Sequence, residues 1–86
     1  MFIVELAFDG GPERLAARPA HRDLLRAWHA EGIVVMAGPY PDESGAVLIF
    51  NVPSEAALDD LLATDPYYTT TGVRVIRRRE WTPLVS

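Results

Sequence analysis

Two side chains in this sequence can exchange a proton near neutral pH without help, His21 and His29. His21 lies in the stretch Arg18-Pro19-Ala20-His21-Arg22-Asp23-Leu24-Leu25-Arg26-Ala27-Trp28, where helical spacing sets it in line with Leu24, Leu25 and Trp28. A titratable ring on an apolar stripe leaves two readings open. It is a packed histidine hydrogen-bonded to backbone, or it is a general base or acid held in a pocket. A base of this kind needs an orienting partner, commonly a carboxylate that fixes the tautomer. Asp65, in Ala63-Thr64-Asp65-Pro66-Tyr67-Tyr68, is the candidate. Taken by itself it also reads as the N-cap of a turn started by Pro66.

The remaining polar groups offer less. His29 falls off the apolar stripe beside Ala30-Glu31 and reads as a surface residue. The two histidines are eight residues apart, outside the i, i+4 spacing of a helical metal pair, and there is no cysteine. No metal site is expected. No GxGxxG, P-loop or GxSxG occurs, and no cofactor ligand is apparent, so no cofactor is expected. Asp42 and Glu43 fall in a hairpin loop, and Asp59-Asp60 reads as a solvated helix face.

The elements that position these groups must fit in 86 residues, which makes one domain, residues 1–86, with a modest core. An apolar fraction of 49% with 23% charged residues belongs to a folded chain. A net charge of −4 argues against nucleic acid as a partner. The single basic run, Arg77-Arg78-Arg79, reads as the solvated end of a strand. No apolar stretch approaches bilayer length, so no membrane segment is expected. The opening MFIVELAFDGG lacks a basic region and meets Glu5 early, which leads us to expect a cytoplasmic protein.

Phe2 to Phe8 alternates as a strand, and Asp9-Gly10-Gly11-Pro12 ends it. Glu13 to Ala17 is at most a helical turn, because Pro19 disfavours helix at Arg18. The main helix is expected from Pro19 to about Glu31, stopped by Gly32. That start places His21 in the first turn, where the helix N-terminus would favour a neutral, basic imidazole. Ile33 to Ala37 is the second strand, closed by Gly38-Pro39. A loop, Tyr40 to Gly45, returns the chain into Ala46 to Phe50. Ser54 caps a helix over Glu55 to Ala63, an irregular segment follows Asp65-Pro66, and Val73 to Glu80 is the last strand.

The order βαββαβ predicts an α+β, ferredoxin-like arrangement: a four-stranded antiparallel sheet with both helices on one face. The uncovered face of such a sheet is normally polar. Here strand two is apolar on both faces (Ile33, Val35 and Ala37; Val34 and Met36), and so is strand three (Ala46, Leu48 and Phe50; Val47 and Ile49). A second copy packing sheet to sheet is the simplest cover, so a homodimer is expected.

In its motifs the chain resembles the YCII-related (YciI-like) family of small bacterial proteins. The resemblance rests on Arg18-Pro19-Ala20-His21, Ala37-Gly38-Pro39, Gly45, Asp65-Pro66-Tyr67 and Trp81, in order along essentially the whole chain. It implies a dimeric α+β barrel with His21 and Asp65 as an active-site dyad. Gly38 and Pro39 would leave room for a small ligand, and Tyr67 departs from the phenylalanine common at its position by adding a phenol. Related barrels carry out several reactions, so the resemblance selects none. Two functions stay in competition. One is a cofactor-independent lyase or isomerase in which His21 moves a proton and Asp65 holds the imidazole, acting on an unidentified small molecule. The other is a non-catalytic dimeric module that binds a small ligand or a protein.

Overall fold

A computed structural model of the chain describes all 86 residues. The order is β1 (Phe2–Phe8), α1 (Pro12–Ala30), β2 (Val34–Pro39), β3 (Gly45–Phe50), α2 (Glu55–Thr64), a 3₁₀ turn (Pro66–Thr69) and β4 (Val73–Glu80). The four strands form one antiparallel sheet in the order β2-β3-β1-β4. Both helices lie on one face, which makes the fold ferredoxin-like α+β. Alternation in the central strands builds the core: Phe2, Val4 and Leu6 of β1 and Ala46, Leu48 and Phe50 of β3 point to the helices. There they meet Trp28 from α1 and Leu58 from α2 in one buried cluster. One close approach inside this sheet demands a glycine. A Cβ on Gly45 would run into the Leu6 carbonyl, so the β1–β3 pair closes only with hydrogen there.

The first helix is longer than its sequence predicts. It begins at Pro12, not at Pro19, and Pro19 lies inside it. Proline at the first position costs nothing in either case, and Pro12 follows Gly10-Gly11, which break β1. Pro19 forfeits one hydrogen bond to the carbonyl of Leu15. It sits on the exposed side with Leu15, Ala16 and Ala20, where water can replace the missing donor. The C-terminus behaves as its glycine predicts. Gly32 has φ 79°, and the Gly32 and Ile33 amides donate to the carbonyls of His29 and Trp28 at 3.0 and 2.9 Å.

The second strand also departs from simple alternation. Val34 pairs with Phe50 but Met36 pairs with Ile49, so one extra residue is inserted between them. Val34 is therefore buried at 2% exposure while Met36 faces the other side at 62%. The strand runs on through Gly38 and Pro39, the residues expected to close it. α2 starts at Ser54, whose hydroxyl accepts from the Ala57 amide at 3.1 Å. No helix is long and apolar enough to cross a membrane.

Candidate functional site

With α1 beginning at Pro12, His21 lies in mid-helix and not in its first turn. Arg14, Arg18, His21, Arg22, Leu25 and His29 all lie along one wall of a cavity of about 440 Å³. The opposite wall is the β2 edge of the sheet, including Gly38 and Pro39, with Tyr67 and Phe8 at its end. A cavity of this size suits a small ligand. Gly38 pairs with Val47, and a side chain added there would meet nothing within 4 Å, so the need for room does not explain this glycine.

Asp65 reaches the same place from the far side of the sequence. It ends α2 in an extended conformation and caps the 3₁₀ turn, its Oδ1 accepting from the Tyr67 amide at 2.9 Å. Pro66, at the first position of that turn, needs no donor. The second oxygen, Oδ2, lies 2.5 Å from His21 Nδ1. His21 is 6% exposed and Asp65 2%. The structure therefore brings together two residues 44 positions apart, and Asp65 serves as turn cap and imidazole partner at once. The ring is clamped as well as bonded. Tyr67 stacks on it at 3.9 Å between centroids with an 8° interplanar angle, and Tyr68 meets it edge-on at 5.4 Å.

An ionised carboxylate only accepts, so the proton between His21 and Asp65 belongs on Nδ1. In the neutral ring the lone pair is then on Nε2. Nε2 bonds to no protein group and is not among the sealed, unpartnered atoms of the fold, which leaves it open to the cavity. Burial holds the His21 pKa below its ordinary value, against the opposing bond and charge of Asp65, with the nearby charge of Arg22 adding to the lowering. The cause is desolvation; a helix N-terminus plays no part at this mid-helix position. Burial also drives the Tyr68 phenol far above its ordinary range, so it stays protonated, and its hydroxyl has no partner.

Sequence reasoning missed Arg14, Arg22 and His29 as cavity residues. His29 is exposed, but its Nδ1 lies 3.0 Å from the Val34 carbonyl and it forms part of the wall. The signal was the i, i+4 row of Arg14, Arg18, Arg22 and Arg26, hidden once the helix was cut at Pro19. No group of three or more potential ligands that could hold a metal ion is present.

Fold and site together define a ferredoxin-like α+β protein with a buried histidine–aspartate pair at the wall of a cavity. The model of the YCII-related domain family matches residues 1–82, and the chain belongs to that family. No curated protein matches it.

Proposed function

We propose that the protein is a cofactor-independent enzyme for a small molecule, with His21 as general base and acid and Asp65 as its orienting partner. The observation that carries this reading is the division of labour on the imidazole. Nδ1 is committed to a buried carboxylate, while Nε2 is unbonded at a cavity. A neutral, oriented base at neutral pH suits proton abstraction beside a carbonyl or on a hydroxylated ring, the opening step of an isomerisation or elimination. The Tyr67 phenol, without a partner in the protein, is a hydrogen-bond donor to the ligand, and Gly38 and Pro39 belong to the wall that faces α1. We further propose that the working unit is a homodimer and that it acts in the cytoplasm. The dimer is supported by Ile3, Val47, Ile49 and Met36, which lie on the sheet face opposite the helices.

Proton abstraction is visible without knowing the product. Incubation in D₂O with a panel of small carbonyl compounds and hydroxylated aromatics should label at least one of them, read by mass spectrometry. His21→Ala should slow that exchange by about 10²–10⁴-fold. A broad panel without His21-dependent exchange would sink the enzyme reading. A second reading, a ligand-binding module with a structural histidine, is favoured by one observation: His21 and Tyr67 pack as tightly as core rings. It predicts ligand binding without exchange.

A further inference from the structure

The chain has eight arginines and no lysine, four of the arginines on α1 beside the cavity and four on β4 away from it. On β4, away from this cavity, Arg74 pairs with Asp9, Arg77 with Glu5 and Arg78 with Asp59, while exposed Arg79 forms no ion pair. On α1, Arg14, Arg18, Arg22 and Arg26 recur every fourth residue and all reach the cavity wall, which includes a single carboxylate, Glu43. Arg18 spends its charge on Glu43 at 3.1 Å, and exposed Arg26 has only a loose contact with Asp23 at 3.6 Å. Arg14 and Arg22 form no ion pair. The Arg14 guanidinium lies over the Phe8 ring at 4.3 Å, and its Nε is buried without a hydrogen-bond partner. That Nε is sealed, but the two terminal nitrogens of Arg14 are neither sealed nor bonded, and they are the donors open to an acceptor in the cavity.

These arginines are also connected to the dyad. Phe8 under Arg14 meets Tyr67 edge-on at 6.2 Å, and Tyr67 stacks on His21. Arg22 is the next residue after His21, and its charge is felt at the imidazole. Half of the lining residues are hydrophobic, which suits a ligand with an apolar or unsaturated body better than a bare ion. A protein of net charge −4 does not attract anions at long range, so this positive cavity is a local feature.

We infer that the cavity selects an anionic small molecule, whose carboxylate or phosphate is held by Arg14 and Arg22 while its apolar body lies against Phe8, Leu25 and Tyr67. The inference rests on the proposed proton transfer for the reactive end alone. There it narrows the substrate to an acid with an exchangeable proton within reach of Nε2. Guanidinium groups match both head groups through paired N–H donors, and both chemistries belong in the test.

Benzoate, phenyl phosphate and the neutral benzamide are suitable probes, titrated calorimetrically into the full-length protein. At least one of the two anions should bind about tenfold or more tightly than benzamide, and the better anion identifies the head group. Arg14→Gln and Arg22→Gln should each weaken it by about tenfold or more, the range for a lost hydrogen bond to a charged group. Arg78→Gln, which removes the same charge outside the cavity, should leave it unchanged. If a cavity variant fails to fold, the Arg14 Nε–H resonance of the wild-type protein should still shift saturably with the better anion. Benzamide binding as tightly as both anions, or equal losses in the Arg78 and cavity variants, overturns the inference. The probes need no turnover, so the two proposals fail separately. Arginine-dependent binding without deuterium exchange would remove the dyad alone, and exchange of neutral compounds without anion binding would remove this inference alone.

Discussion

The His21–Asp65 contact joins architecture and the proposed chemistry in two side chains, and the two can be separated by substitution. His21→Ala leaves Asp65 Oδ2 buried without its donor and removes the ring between Tyr67 and Tyr68. A loss of about 1–3 kcal/mol in chemical denaturation is expected. Asp65→Asn is the sharper probe. An asparagine can still accept from the Tyr67 amide, as caps of both types do, and its amide can donate to Nδ1. That exchange moves the ring proton to Nε2 and abolishes the base. Stability should change little while deuterium exchange falls by about 10³–10⁴-fold. Comparable losses of stability in both variants, with exchange intact, would mark a structural pair. The imidazole also predicts a pH dependence. Folding lowers the affinity of His21 for a proton, so the unfolded chain takes one up near pH 6.5 that the folded chain resists. Its contribution to stability is therefore complete above about pH 6.5 and is lost as the pH falls below that value, by at most about 1.4 kcal/mol per unit. Melting curves between pH 7.5 and 5.5 should fall more steeply for wild type than for His21→Ala.

Among the elements, α1 carries an internal contradiction that its packing overrides. Pro19 removes a hydrogen bond in the middle of the helix, yet the segment before it is held at both ends of its polar side. Arg14 lies on Phe8, and Arg18 reaches Glu43 in the hairpin loop between β2 and β3. Pro19→Ala should restore the Leu15 bond and stabilise the protein by about 1–3 kcal/mol. The gain is the helix-interior penalty of proline, reduced by the greater freedom the unfolded chain regains. A melting temperature that does not rise would mean that α1 has already relaxed around the ring. The helix bears on the proposed site through its phase. Extending it back to Pro12 brings Arg14 into the row that lines the cavity; a helix from Pro19 would leave that residue in a loop. The bulge in β2 has a similar consequence for the other face. It turns Met36 away from the helices and puts it beside Ile49.

For the whole molecule, that outer face is the unfinished part. Glu5 is satisfied by Tyr40 at 2.6 Å and by Arg77 at 3.8 Å, so its charge does not stand alone among Ile3, Val47 and Ile49. Trp81 lies at the edge, tied to the start of β1 by its backbone amide, which donates a hydrogen bond to the Met1 carbonyl at 2.8 Å. With 15 of 86 residues buried, the single chain has a thin core, and covering this face would enlarge it. Sedimentation at micromolar concentration should give twice the 9.5 kDa chain mass. Ile49→Asp, which sets a charge at the centre of the face, should yield a monomer. A folded wild-type monomer at that concentration would end the sheet-to-sheet proposal.

The order of elements was legible in the sequence because each carries its own period and its own punctuation. β1 alternates, Ser54 caps α2, and Gly32 stops α1, all of them local effects that act over a few residues. His21 stood out for the same reason, as a polar residue on an apolar stripe. The start of α1 was not legible, because local propensity sees a proline but not Phe8 and Glu43, which are brought up from other elements to hold the turns around it. The bulge in β2 was hidden too, since register belongs to a pair of strands and not to one. Above all, the sequence supplied a histidine and an aspartate 44 residues apart, with an expectation that they meet. Only the packing of α1 against the 3₁₀ turn decides that they do, which ring nitrogen is left free, and that Arg14 and Arg22, which form no ion pair, line the same cavity.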